Sequence, residues 1–129
     1  MRFVLAWAPA VAVAALIFWL SAIPGLSVTT GLVELVLRKG AHFTIYAALG
    51  AACWRGLSLH GLRGARRAAV AWLLATAYAV GDELHQVTVP TRIGAPADVA
   101  IDALGAACGI AVLLALLPRV RPPRGLAVR

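Results

Sequence analysis

The chain has 129 residues, 62% hydrophobic and only 13% charged, with a mean hydropathy of +0.89 and a net charge of +7. A soluble domain needs about a quarter of its residues charged to cover its surface, so a water-facing globule is excluded and the class is membrane protein. The length suits one compact domain.

Four apolar runs follow in chain order, each close to the roughly 20 residues that cross a bilayer as a helix. The first covers about residues 4–20, "VLAWAPAVAVAALIFWL". It is long for the apolar region of a signal peptide and no A-x-A sits at its end, so it is expected to be retained. Pro9 lies early in it and is expected at most to kink it. Residues 21–31 hold Pro24, Gly25 and Gly31, a turn composition. Residues 32–39 read as an interfacial lead-in to the second run, residues 40–57. There Glu34 and Arg38 stand four apart in the favourable order for a helix pair, and read as a solvated surface pair. The third run is residues 68–87 and the fourth residues 99–117. A basic tail, residues 119–129, ends the chain.

The runs are rich in Ala and Leu and do not alternate with period two, which argues against β spans. A helix satisfies its own backbone in lipid. The expected fold class is therefore all-α, a four-helix transmembrane bundle with short loops in one domain, residues 1–118. Cys53 and Cys108 both fall inside apolar runs and read as buried free thiols, with no disulfide framework or zinc spacing.

Charge sets the orientation. Arg2, Arg55, Arg63, Arg66, Arg67 and the tail residues Arg119, Arg121, Arg124 and Arg129 make nine of the twelve Lys and Arg. Alternate connections place all nine on one side, which is cytoplasmic by the positive-inside rule. All five acids fall on the other side, with Arg38, Lys39 and Arg92. Both termini are expected in the cytoplasm, and the tail is expected on anionic lipid. The net charge then requires no nucleic-acid partner.

Four of the five acids crowd into "GDELHQVTVPTRIGAPADVAIDALGAACG", residues 81–109. Asp82, Glu83, His85 and Gln86 end the third span. Residues 88–97 form an outer loop, and Asp98 and Asp102 open the fourth span. His42 and Tyr46 lie four apart in the first turns of the second span. Polar groups of three helices thus converge on one leaflet. Asp98 is expected to cap its helix. Asp102, one turn deeper, requires pairing with Arg92 or a histidine, or protonation. Asp82 and Glu83 stand where the helix dipole opposes negative charge, so they call for a cation: Arg92, Lys39 or Arg38. Arg92, the one basic residue of the stretch, is the expected hub. Gly105 and Gly109 make a small face for close helix packing within the chain.

These residues resemble the VanZ-like family of small bacterial membrane proteins. The resemblance rests on "KGAHFTIYAALG" (residues 39–50), "DELHQVTVPTR" (82–92) and "DVAIDALGAACG" (98–109), with "FWLSAIPG" (18–25) at the end of the first span. Thr91 stands where the family has glycine, and Asp102 where it has asparagine. The resemblance implies a multi-pass protein of the bacterial cytoplasmic membrane. It also suggests a link to glycopeptide susceptibility, since the family is named after a factor that lowers susceptibility to teicoplanin.

Three functional readings follow. The first is a non-enzymatic protein that binds an envelope lipid or a lipid-linked cell-wall precursor at the outer face. In it Arg92 holds the anion, while His42, Tyr46 and Gln86 give neutral hydrogen bonds. The second is an embedded hydrolase or transferase acting on a lipid-linked phosphate. It would use Asp82 or Glu83 with His85 for acid/base work, or the same residues with His42 and Asp98 to hold a divalent metal. The third is a small transporter, for which the inner halves lack an ionisable path. Neither H-E-x-x-H nor G-x-S-x-G is present. Binding rather than catalysis is therefore the expected role, with no cofactor and no metal.

Overall fold

The computed structural model describes residues 1–24, 31–90, 92 and 95–117. They form α1 (Arg2–Ser21), α2 (Gly31–Gly56), α3 (Gly64–Thr88) and α4 (Pro96–Leu116), with a short 3-10 turn, Leu57–Leu59, after α2. No strand occurs among the described residues, so the all-α, four-helix expectation holds. Gly25, Thr91 and the tail 119–129 lie outside the described residues, and with them part of the charge pattern read above.

Two helices, α1 and α4, are long and apolar enough to cross a membrane. Helix α1 continues through Pro9. Helices α2 and α3 have 26 and 25 residues, but charged residues punctuate them. Three boundaries differ from the sequence reading. The interfacial lead-in is no separate piece: α2 is one helix from Gly31. The third helix starts earlier, at Gly64, so Arg66 and Arg67 occupy its first turn. Pro96 sits in the first turn of α4 and Ala95 is its N-cap. Proline suits that position, because its missing N–H would have no partner there. Asp98 is consequently inside the helix and is not the cap.

The packing is inverted relative to a water-soluble bundle. Ala71, Ala75 and Ala79 recur every fourth residue on α3, and all three are buried. Large apolar side chains face outward instead: Val4, Leu5, Val11 and Trp19 on α1, Leu73 on α3, Leu104 and Leu116 on α4. Small residues inside and bulky ones outside is how helices pack when lipid is the solvent. Cys53 is buried as expected, but Cys108 is exposed. It falls outside the buried stripe of α4 that holds Asp98, Asp102, Gly105 and Ala106.

Helices α2 and α4 form the most extensive pairing. They run parallel, and the same offset of 60 residues joins Arg38 to Asp98 and His42 to Asp102. Close approach is possible because of glycine. A β-carbon on Gly105 would strike the Phe43 carbonyl, one on Gly109 the Ala47 carbonyl, and one on Gly50 would lie 2.6 Å from the Ala106 carbonyl oxygen. The packing role read for Gly105 and Gly109 is therefore met within the chain. Gly50 completes it from the other helix.

At the opposite end, Trp7 of α1 donates to His60 Nε2 at 3.3 Å. Arg67 donates to the Trp54 carbonyl at 2.7 Å and lies over the Trp54 ring. The first contact ties the start of α1 to the α2–α3 turn, and the second ties the start of α3 to the end of α2. The ends that carry the acids are the other ones: the end of α1, the start of α2, the end of α3 and the start of α4.

Candidate functional site

Two polar networks meet at that end. The first joins α2 to α4. Arg38 Nη1 donates to Asp98 Oδ2 and Lys39 Nζ to Asp98 Oδ1, each at 2.8 Å. One turn deeper, His42 Nδ1 lies 3.1 and 3.4 Å from the Asp102 oxygens. Asp98 and Asp102 are almost fully buried, so these partners offset the expense of carboxylates in an apolar setting. A carboxylate on Nδ1 fixes the imidazole ring and its tautomer, which leaves Nε2 as the nitrogen to meet a ligand. The His42 and Tyr46 rings stack in nearly parallel planes, 14° apart.

The second network joins α3 to the end of α1. Gln86 Nε2 donates to Asp82 Oδ2 at 2.9 Å and to Ser21 Oγ at 3.3 Å. Arg92 Nη2 donates to the Leu20 carbonyl at 2.8 Å, Nε to the Ile23 carbonyl at 3.2 Å and Nη1 to Gln86 Oε1 at 3.4 Å. The last carbonyls of a helix have no partner within it, and a cation there also suits the dipole. Arg92 is thus a clamp on α1 rather than a hub among carboxylates, and the acids do not orient it. Its three partners are neutral oxygens.

The cations expected near the acids come from α2. Arg38 is more than half of a surface pair, since it reaches across to Asp98. Among the described residues neither Asp82 nor Glu83 receives a cation: Asp82 is held by Gln86, and the Glu83 carboxylate accepts the Ala95 N–H just ahead of α4. His85 stands apart from both. Its ring stacks on Phe18 of α1 at 4.7 Å, and its Nε2 is buried without a partner among the described residues. The acid/base pairing of His85 with Asp82 or Glu83 is therefore not made. Asp98 is taken up by two cations, and no three metal-binding side chains converge among the described residues.

Between the networks lies a cleft of about 370 Å³. His42, Tyr46, Asp82 and Arg92 line it from three elements, and Arg38 and Glu34 line it from α2. Apart from Ser21, its remaining walls are apolar, among them Ile17, Leu37 and Ile45. The polar candidates divide accordingly. His42, Tyr46, Asp82 and Arg92 face one space, which Gln86 supports through Asp82 and Arg92. Asp98 and Asp102 brace it from α4. Glu83 and His85 serve neighbouring contacts. Sequence reasoning missed Ser21 and the α1 carbonyls, and gave Arg38 and Lys39 too small a part. The signal for those two was present: 38, 42 and 46 share the four-residue spacing of 98, 102 and 106.

The Tyr46 hydroxyl lies beside the Asp82 carboxylate, and neither Tyr46 Oη nor Asp82 Oδ1 makes a hydrogen bond of ordinary length to any described residue. A hydroxyl so loosely held adds little to the fold, so its removal should be neutral or favourable. Tyr46→Phe is expected to keep or raise stability, by up to about 1 kcal/mol. Thermal unfolding in detergent checks this, and a clear loss would mean the hydroxyl serves the fold.

A family model described as VanZ/LLP1 matches residues 4–117. No curated protein and no solved structure matches the chain.

Proposed function

The chain belongs to the VanZ/LLP1 family and is a membrane protein with α1 and α4 apolar enough to span; from that premise we propose that its cleft binds the anionic headgroup of an envelope lipid. The observation that carries this reading is the state of Arg92. It lines the cleft, and its hydrogen bonds go to neutral oxygens. A guanidinium has five N–H donors. Among the described residues three are used, which leaves two for phosphate oxygens.

The shape of the cleft suits an amphiphile. Polar groups gather at one part of the wall, and Ile17, Leu37 and Ile45 offer an apolar lining for an acyl or isoprenyl chain. Ligand sites generally combine a mostly apolar wall with a few placed polar groups. A lipid-linked cell-wall precursor carries the same phosphate, and binding it would connect the site with glycopeptide susceptibility. The role proposed is binding, without covalent chemistry.

All four helices cross the cytoplasmic membrane in this reading, with both termini inside and the cleft in the outer leaflet. The basic ends, Arg2, Arg55, Arg63, Arg66 and Arg67, support that orientation. A cysteine at Thr88 should react with an impermeant thiol reagent in intact cells, and one at Ser58 only after permeabilisation, with Cys53 and Cys108 replaced. The reverse pattern would contradict the orientation. Binding itself is tested by native mass spectrometry of protein purified in mild detergent. A retained lipid with a net anionic phosphate headgroup is expected; retention of neutral or zwitterionic lipid alone would refute the reading.

A further inference from the structure

We infer that His42 is a second phosphate donor of the cleft, beside Arg92, and that its pairing with Asp102 makes headgroup binding take up a proton. This rests on the binding reading above and adds the regulation of that site. His42 lines the cleft and meets Asp102 of α4 through Nδ1, at 3.1 and 3.4 Å. Asp102 is 1% exposed, so the ring stands between the carboxylate and the cleft. Nε2 has no hydrogen-bond partner among the described residues. It is the ring nitrogen left for a ligand.

The chemistry of the pair decides what Nε2 can offer. An ionised carboxylate only accepts hydrogen bonds. While Asp102 is ionised and the imidazole neutral, the ring proton must sit on Nδ1. Nε2 then turns a lone pair to the cleft, and the pair as a whole carries one negative charge. The oxygens of a phosphodiester also only accept, so that state opposes the headgroup twice, by charge and by hydrogen bonding. One added proton reverses both. It can make an imidazolium, or it can make a carboxyl group that donates to Nδ1; in either case a hydrogen ends on Nε2 and the pair becomes neutral. Nε2 can then donate to one phosphate oxygen while Arg92 donates to the other. Proton uptake and headgroup binding therefore favour each other.

Asparagine at position 102 would not couple the two events. Its amide can donate to Nδ1 as well as accept from it, so a neutral ring could already present an N–H at Nε2. The other charged or titratable groups around His42 are Glu34, Arg38, Lys39 and Tyr46 on α2, Asp98 on α4, Asp82 and Glu83 on α3, and Arg92 beyond it. Helix α1 adds none, since it brings Ile17, Leu20 and Ser21 to the cleft. A pH dependence owed to any of these survives Asp102→Asn, whereas one owed to the pair does not.

The test titrates the full chain, in a neutral maltoside detergent, with short-chain phosphatidylglycerol or phosphatidylcholine and reads the affinity by calorimetry. The wild type is expected to bind phosphatidylglycerol at least about tenfold more tightly at about pH 5 than at about pH 8, the range in which histidine ordinarily changes charge. Tenfold is the worth of one good hydrogen bond to a charged group. Asp102→Asn should bind more tightly than the wild type at the alkaline end and vary about threefold or less across the range. His42→Gln, whose amide N–H does not titrate, should flatten the dependence likewise and keeps the test open if Asp102→Asn misfolds. A wild-type affinity that is constant with pH, or that weakens on acidification, overturns this inference and leaves the anion reading standing. A dependence undiminished in Asp102→Asn overturns it too. Failure of phosphatidylglycerol to exceed phosphatidylcholine at every pH overturns the anion reading itself. Dimethyl phosphate, a soluble phosphodiester, should not compete; efficient competition overturns the lipid as the source.

Discussion

Gly109→Leu should prevent the bundle from forming its native α2–α4 contact. The added β-carbon would meet the Ala47 carbonyl, which is backbone and cannot rotate away. The helices must separate, and the layer that aligns Arg38 with Asp98 and His42 with Asp102 is lost with them. Overpacking typically costs 1–3 kcal/mol, occasionally more; a backbone collision belongs at the upper end, so a loss of about 3 kcal/mol or greater is expected. Gly81→Ala is the matched control. Nothing lies within 4 Å of a β-carbon there, and alanine favours the helix by up to about 1 kcal/mol. Unfolding in detergent should separate the two variants clearly. Similar stability for both would mean that α2 and α4 do not pack through Gly109.

Arg92→Ala should destabilise the protein and release its lipid together. It strips a charged donor from the Leu20 carbonyl at the end of α1, from the Ile23 carbonyl just beyond it and from Gln86. Hydrogen bonds involving a charged group are worth about 1.5–3 kcal/mol each. The side chain is half-buried and water can replace part of the loss, so roughly 2–4 kcal/mol in total is expected. Arg92→Lys should restore less than half, because an ammonium lacks the planar fork that reaches three oxygens. Asp102→Asn should not rescue Arg92→Ala. The two residues share no hydrogen-bond partner, since Asp102 answers to His42, so their effects should add. Rescue by Asp102→Asn would restore the carboxylate hub that the sequence alone suggests.

Arg92 shows where the sequence stopped being legible. Reading by sign pairs an arginine with the nearest acids, because side-chain charge is visible in a sequence. Backbone carbonyls are not, since every residue has one. Only the fold reveals that the last carbonyls of α1 end beside residue 92. His85 is a similar case, drawn to Phe18 by ring stacking and not by charge. The start of α2 was misjudged for another reason. Glu34, Arg38 and Lys39 interrupt the apolar run, so the span seemed to begin at Gly40. The helix extends further because α4 supplies Asp98 as a partner for Arg38 and Lys39. By contrast, α1 and α4 stand out from their continuous apolar runs. The glycines at 105 and 109 disclosed their packing through spacing alone. The convergence of His42, Tyr46, Asp82 and Arg92 followed from alternating helix direction, which brings the same ends together whatever the local contacts.

Photo-crosslinking from the mouth of the cleft tests the binding claim most directly. Ala41 lines the cleft, whereas Ala111 lies in a separate apolar groove of α3 and α4. Both are exposed and accept a benzoylphenylalanine side chain. Lipid captured from native membranes at position 41 should be enriched in anionic phospholipid over the bulk composition, and the enrichment should vanish with Arg92→Lys. Capture at position 111 should mirror the bulk lipid in both backgrounds. Bulk-like capture at position 41 in the wild-type background would contradict an anionic headgroup site in this cleft.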